Sequence, residues 1–173
     1  MMGHPGKKLN FMGNEFAQFI EWNYAQELDW FLLDYPRHRT FRKFIQDLNA
    51  FYLENKCMWQ LDCSFDGFKW IVVDDNRQNI LSFMRRDADG DYVICVVNFS
   101  PVERKKYVMG VPENKVYKAE LTSALKKYGG AEERRPSFRA VGKPSHGYPY
   151  SVKLNIPANS VMFLRAENKE EKK

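Results

Sequence analysis

The sequence has few cysteines and no long apolar run. Cys57, Cys63 and Cys95 are its three cysteines, too few and too scattered for a disulfide scaffold. With no second cysteine pair and no nearby histidine, we expect no metal site, no cofactor, and reduced thiols in a cytoplasmic protein. No apolar run approaches the roughly 18–20 residues of a membrane span. Residues 1–8 lack the apolar stretch of a signal peptide, so neither secretion nor membrane insertion is expected.

A strong excess of one charge sign is also absent. The 173 residues include 27 basic and 22 acidic side chains, for a formal net charge of +5. Proteins that bind nucleic acid usually gather their basic residues on one helix or stripe. The basic residues of this chain are not gathered in that way. The largest local excess lies in residues 125–149, which are rich in glycine and proline. A solvated loop is favoured there over a phosphate-binding surface, so no nucleic-acid partner is expected.

Beyond residue 67 the sequence is a series of short strand patterns separated by turns. Asp89-Gly90 between two apolar runs indicates a hairpin. Val93–Val97 is apolar without alternation, which is typical of a strand covered on both faces. Apolar and polar residues alternate over 152–156, which indicates one wet face. The series predicts an antiparallel β-sandwich. Its strand candidates are Phe68–Asp74, Ile80–Arg86, Tyr92–Ser100, Arg104–Val111, Val116–Ser123, Tyr150–Pro157 and Ser160–Ala166.

The first 60 residues have a different pattern. Lys8–Met12 is predicted as a short strand, and a loop rich in aromatic residues and carboxylates follows it. Pro36 suits the first turn of a helix, and apolar residues then recur at three- and four-residue spacing up to about Asn55, which predicts an amphipathic helix. One strand, one loop and one helix cannot close a core. Either this region packs on the sandwich or it is the edge of a larger α/β domain.

Motifs spread over nearly the whole chain carry a resemblance to a known family. The string over residues 6–18 closely resembles the eighth-strand segment of bacterial-type 1,4-α-glucan (glycogen) branching enzymes, in the α-amylase superfamily. Its Gly-x-Glu-Phe alone would indicate only the superfamily, but the order and spacing of the later strings favour branching enzymes. Those strings are Glu21-Trp22-Asn23, Leu28-Asp29-Trp30, Leu32–Arg39, Gly67–Ile71, Ser82–Arg86, Val97–Val102, Tyr128-Gly129-Gly130 and His146-Gly147.

The resemblance implies a fold class and a division into domains. The fold is mainly β, with a C-terminal antiparallel β-sandwich preceded by the last strand, loop and helix of a (β/α)8 barrel. Residues 1–60 would be the end of that catalytic barrel, residues 61–167 the sandwich, and residues 168–173 a disordered charged tail.

The resemblance also implies a reaction. Branching enzymes cleave an α-1,4 glucan with retention and transfer the chain to a 6-hydroxyl, using carboxylates as nucleophile and as acid and base. The family's three catalytic carboxylates precede the segment that begins this chain, and none has a counterpart here. The chain is therefore expected to be inactive alone, with no catalytic residue of its own. Its expected partners are α-glucan (glycogen or amylose) and the remainder of the barrel.

Four residues are candidates for substrate binding. Glu15 lies just after a predicted barrel-strand end, where such barrels place their active sites; satisfying the loop backbone is the alternative. Trp22 and Trp30 could stack on glucose rings or wedge the loop onto its own domain. Trp70 could form a second glucan platform or belong to the sandwich core.

Other functions remain open at this point. The chain could be a stand-alone carbohydrate-binding module or a purely structural domain without affinity for glucan. It could also be the C-terminal part of another α-amylase superfamily enzyme, such as a debranching relative, although the strings around Trp22 and Trp30 argue against that.

Overall fold

The computed structural model describes residues 1–167, and the predicted disordered tail, residues 168–173, lies outside this range. Within this range the chain forms one long helix followed by eight strands. Two short 3-10 turns, Asn14–Phe16 and Trp30–Asp34, precede the helix. The elements are α1 (Pro36–Glu54), β1 (Phe68–Asp75), β2 (Ile80–Arg86), β3 (Tyr92–Asn98), β4 (Arg104–Val111), β5 (Val116–Thr122), β6 (Ser137–Arg139), β7 (Tyr150–Ile156) and β8 (Ser160–Ala166).

The strands form two antiparallel sheets that pack face to face. The larger has six strands in the order β1-β2-β3-β8-β5-β6, and the smaller pairs β4 with β7. Apolar side chains from both sheets, such as Ile94, Met109 and Leu154, meet in a core that excludes water. The predicted mainly-β fold with an antiparallel sandwich is confirmed.

Strand β3 lies inside the larger sheet and is buried on both faces. Ile94 and Val96 pack in the core between the two sheets, whereas Val93 and Cys95 pack on the opposite face, against the helix. This arrangement explains the apolar run over 93–97, and it confirms the prediction of a strand covered on both sides.

Helix α1 covers the outer face of the six-stranded sheet. It begins at Pro36, which has no N–H to leave unsatisfied there, and it ends at Glu54, as the apolar spacing predicts. Phe44, Leu48 and Phe51 form its buried stripe. The Phe51 ring lies 5.0 Å from that of Phe163 on β8. The helix therefore packs on the sandwich, and together they form a second buried core.

Two details of the strand prediction are wrong. Lys8–Met12 forms no strand, because within residues 1–167 no neighbouring strand pairs with its backbone. Ser137–Arg139, inside the segment predicted as a loop, pairs with β5 as the short edge strand β6. Three residues are too few to produce a recognisable alternation.

A buried ion pair ties the N-terminal residues to the sandwich. The guanidinium of Arg85 is 0% exposed, pairs with the Asp62 carboxylate, and donates to the carbonyls of Gly3 (3.0 Å) and Gly67 (3.3 Å). Lys8 Nζ lies 3.7 Å from the same carboxylate. These contacts fix the start of the aromatic loop relative to β2.

Candidate functional site

The loop between the N-terminal residues and α1 presents an exposed apolar surface. Monomeric proteins rarely expose large apolar patches unless the patch binds something. Trp22 is 72% exposed and Tyr24 is 93% exposed. We call this set the loop surface. Its members are Leu9, Phe11, Phe19, Ile20, Trp22, Tyr24, Trp30, Phe31 and Tyr35.

Hydrogen bonds hold the loop beneath this surface in a defined shape. The side-chain amide of Gln18 accepts from Asp29 N (2.8 Å) and donates to Ile20 O (2.7 Å), which joins two stretches of the loop. His38 Nδ1, on α1, donates to the carbonyl of Phe16 at 2.7 Å. The Phe16 ring is fully buried. The exposed side chains are therefore presented by an anchored backbone.

The backbone of the loop is strained at three non-glycine residues. Met12, Ala17 and Trp22 have φ values of 42°, 58° and 60°. Such a conformation is unfavourable for a bulky residue, by about 1–3 kcal/mol. It aims the Trp22 ring at Phe11, with 5.0 Å between ring centroids. These rings border a cavity of about 380 Å³, so the strained residue lies where the surface is concave.

Three of the four predicted site residues lie in this loop. Glu15 is half-buried in the 3-10 turn that ends at Phe16, and its carboxylate accepts a long hydrogen bond from Asn10 Nδ2 (3.5 Å). The Trp30 ring packs on Phe16 at 5.1 Å while its other parts remain exposed. Trp22 contacts Phe11 instead, so each of the three side chains has a different partner within the same loop.

Trp70 lies apart from the loop, on β1. Its ring contacts Phe68 (4.9 Å) and Phe83 (5.7 Å) nearly at right angles, with His4 at 6.2 Å. The side chain is 39% exposed. It therefore combines a rigid aromatic support with access to solvent, and its role as a glucan platform stays a prediction.

The basic segment over 125–149 is partly neutralised by acidic neighbours. Lys127 lies 2.9 Å from the Asp47 carboxylate on α1, and Lys126 pairs with Glu133. Asp47 also accepts from Lys43 and from the Tyr128 hydroxyl. Burial opposes its charge, but these hydrogen bonds outweigh burial and hold the pKa of Asp47 below its usual value.

Two of the charged arrangements in this protein leave no signal in the sequence. The Asp47 cluster joins residues about 80 positions apart along the chain, and the Arg85–Asp62 pair joins β2 to the segment after α1. The sequence around Asp47 and Arg85 does not distinguish a charged side chain that forms an ion pair from one that faces solvent. Only the folded topology shows which charges meet.

Two kinds of feature are absent from residues 1–167. No group of three histidine, cysteine, aspartate or glutamate side chains is placed to hold a metal ion. None of the helices in this part of the chain is long and apolar enough to cross a membrane.

Comparison with known proteins identifies relatives of nearly the whole chain. The chain is 46% identical over 170 residues to the 1,4-alpha-glucan branching enzyme GlgB of Halothermothrix orenii, which covers 97% of this chain and 27% of that protein. The enzyme of the same name from Aquifex aeolicus is 40% identical over 169 residues, covering 96% and 27%. The resemblance to branching enzymes predicted from the motifs is confirmed. The chain spans about a quarter of the length of the curated relatives it matches.

A solved structure and a family model agree with the fold. The catalytic module of the multi-modular glycogen-degrading pneumococcal virulence factor SpuA matches 83% of this chain and 20% of its own, with a TM-score of 0.51 and 13% identity. Residues 70–167 match the model of the alpha amylase C-terminal all-beta domain. That match includes more than half of the residues, and the chain therefore belongs to the alpha amylase C-terminal all-beta domain family.

Proposed function

We propose that this chain is the C-terminal part of a 1,4-alpha-glucan branching enzyme. The observation that carries the proposal is 46% identity over 97% of the chain to a protein of that name, of which the chain spans 27%. The parent protein would cleave an α-1,4 glucan with retention and transfer the cleaved chain to a 6-hydroxyl. Its substrate would be glycogen or amylose, and its location the cytoplasm.

Most of the loop surface would contact the rest of that enzyme, with one ring face of Trp22 and of Trp30 left open to substrate. In this proposal residues 1–60 complete a (β/α)8 barrel and residues 61–167 form the attached sandwich. An anchored loop that exposes Phe19, Trp22 and Tyr24 gains stability when another domain covers it. The strained φ of Trp22 supports a role beyond packing within this chain, because strain of this kind clusters at functional sites.

Within the parent enzyme, the three predicted loop residues would serve the active site without performing the bond chemistry, and Trp70 would form a second glucan platform. Residues 8–12 are not a strand here, but in the parent enzyme they would pair with a barrel strand from outside this chain. Glu15 would then lie at their carboxyl end, where active sites of such barrels form, and would hydrogen-bond other groups of the site. Trp22 and Trp30 would offer ring faces to glucose units. The catalytic carboxylates would come from outside this chain, so the chain alone would be inactive.

A stand-alone carbohydrate-binding module is the second candidate function. The observation that favours it is Trp70, which is exposed and supported by Phe68 and Phe83. Retardation of the chain during electrophoresis in a glycogen-containing gel tests this candidate. Loss of retardation in a folded Trp70→Ala variant would support it, and equal mobility with and without glycogen would rule it out.

A chimera tests the branching-enzyme proposal. This chain replaces the matching quarter of the Halothermothrix orenii enzyme, and new α-1,6 linkages in amylose are measured by proton NMR. We expect branching by the chimera and none by the chain alone. A folded chimera that forms no α-1,6 linkages would contradict the proposal. Linkages formed by the isolated chain would contradict its predicted inactivity.

A further inference from the structure

The side chain of Gln18 joins two separate stretches of the loop that carries the predicted site residues. Its Oε1 accepts a hydrogen bond from Asp29 N at 2.8 Å, and its Nε2 donates to Ile20 O at 2.7 Å. Asp29 directly precedes Trp30, and Ile20 lies two positions before the other tryptophan, Trp22. One amide therefore holds the backbone next to both tryptophans. We call these two hydrogen bonds the Gln18 bridge.

The same residue is anchored to the turn that carries Glu15. Gln18 N donates to the Gly13 carbonyl at 3.2 Å, and Phe16 N donates to that carbonyl at 3.1 Å. Gly13 has a φ of 85°, and a Cβ at this position would lie 2.9 Å from both Cβ and Oε1 of Gln18. A glycine leaves the space in which the glutamine side chain lies. The turn is thus held by the backbone of Gln18, and the tryptophan segments are held by its side chain.

The bridge is the only hydrogen bond that restrains the Trp22 segment. Among the described residues, 20–27 form one hydrogen bond with the rest of the chain, and that bond comes from Gln18. The ring of Trp22 adds an aromatic contact with Phe11. Gln18 and Trp22 also line the cavity of about 380 Å³. Loss of the bridge would therefore let the Trp22 segment move relative to this cavity.

The chemistry of the bridge requires an amide. The N–H of Asp29 needs an acceptor and the carbonyl of Ile20 needs a donor, so the bridging side chain must present one of each. Glutamate at neutral pH would keep the acceptor for Asp29 but would place a second acceptor against the Ile20 carbonyl. Methionine, which has a similar length, would replace neither hydrogen bond effectively.

We infer that Gln18 is a positioning residue for glucan binding, because its amide fixes Trp22 and Trp30 relative to each other and to the Glu15 turn. The inference rests on the proposed function, in which the open ring faces of the tryptophans meet glucose units. These rings take no part in the bond chemistry, so loosening them weakens substrate and transition state alike. Loss of the bridge should therefore raise KM and leave kcat nearly unchanged.

Amide hydrogen exchange of Asp29, measured by NMR in the 173-residue chain, tests the bridge itself. We expect Gln18→Met to speed this exchange by about tenfold, because the amide loses its acceptor. Gln18→Glu keeps the acceptor and should leave the exchange slow. The matched control is Gln26→Met, since Gln26 is exposed in the same loop and its side chain forms no hydrogen bond within the described residues. Circular dichroism verifies that each variant is folded.

Kinetics of the chimera with the Halothermothrix orenii enzyme test the consequence for substrate. We expect Gln18→Met to raise KM for amylose by about tenfold, the effect of weakening two aromatic contacts. Gln18→Glu, which loses only the hydrogen bond to Ile20, should raise KM by about threefold. Both variants should change kcat by less than about twofold, and Gln26→Met should change neither constant.

The outcomes separate this inference from the proposed function. Branching by the original chimera, with KM unchanged in both Gln18 variants, would overturn this inference alone. A raised KM without faster Asp29 exchange in Gln18→Met would mean that Gln18 contacts substrate directly, and it would also overturn the positioning role. An original chimera that forms no α-1,6 linkages would contradict the proposed function and this inference with it.

Discussion

Arg85 brings a positive charge into the interior of the protein, where each of its contacts stabilises it. Its guanidinium is met by the Asp62 carboxylate and by two backbone carbonyls. Replacing it with methionine would remove the donor from both carbonyls and leave the Asp62 carboxylate with only its longer contacts to Lys8 and Tyr52. We therefore expect Arg85→Met to lower the free energy of unfolding by about 3–5 kcal/mol. Urea denaturation measures the change. The control is Arg86→Met at the exposed neighbouring position, which should change stability by less than about 0.5 kcal/mol. Equal effects would contradict the role assigned to the pair.

Asp47 predicts a dependence of stability on pH. Its pKa is lower in the folded protein than in the unfolded chain, because hydrogen bonds from Lys43, Tyr128 and Lys127 outweigh the effect of burial. A lowered carboxylate pKa stabilises the fold above the unfolded-state value of about 3.9 and loses that contribution as the pH falls below it. We therefore expect Asp47→Asn to cost more stability at pH 7 than at pH 3. Urea unfolding at both pH values measures this difference, and an equal cost would show that the carboxylate is not preferentially stabilised.

Individual side chains show where prediction from sequence reached its limit. The motif order placed Glu15, Trp22 and Trp30 in one loop, and the structure has them there. Exposure could not be predicted, because an aromatic residue fits a core and a ligand platform equally well. Trp70 illustrates this, since it packs on two rings and is still partly exposed.

At the scale of elements, α1 is expected to unfold together with the sandwich. Leu48 is buried between the helix and the sheet, and we expect Leu48→Ala to cost about 2–5 kcal/mol in a single cooperative transition. Leu53→Ala changes the same residue type on the exposed side of the same helix, and it should cost less than about 0.5 kcal/mol. Circular dichroism and tyrosine fluorescence followed through urea denaturation would report both values. Separate transitions for helix and sheet would contradict this account.

Elements with strong periodicity were predicted, and those that depend on partners were not. The 3.6-residue repeat of α1 and the alternation along β7 are properties of the local sequence. They can be recognised without knowledge of the tertiary contacts. Lys8–Met12 has the composition of a strand, yet a strand also needs a neighbour to receive its hydrogen bonds. The three residues of β6 have little strand propensity of their own. They form a strand because they pair with the edge of β5.

For the whole molecule, the loop surface is the feature that the fold itself does not explain. An exposed apolar surface on a folded protein should bind anilinonaphthalene sulfonate without denaturation. We expect the double variant Phe19→Ser, Tyr24→Ser to reduce dye fluorescence at unchanged free energy of unfolding, since both rings are largely exposed. Undiminished fluorescence in the folded variant would indicate that the dye binds elsewhere.

In the proposed parent enzyme, the rest of the protein covers most of the loop surface. Hydrogen exchange of amides in residues 9–35, compared between the isolated chain and the chimera with the Halothermothrix orenii enzyme, tests this claim most directly. We expect many of these amides to exchange at least about tenfold more slowly in the chimera, while those of Val93–Val97, already buried, stay the same. Equal exchange over residues 9–35 in a chimera that forms α-1,6 linkages would contradict it.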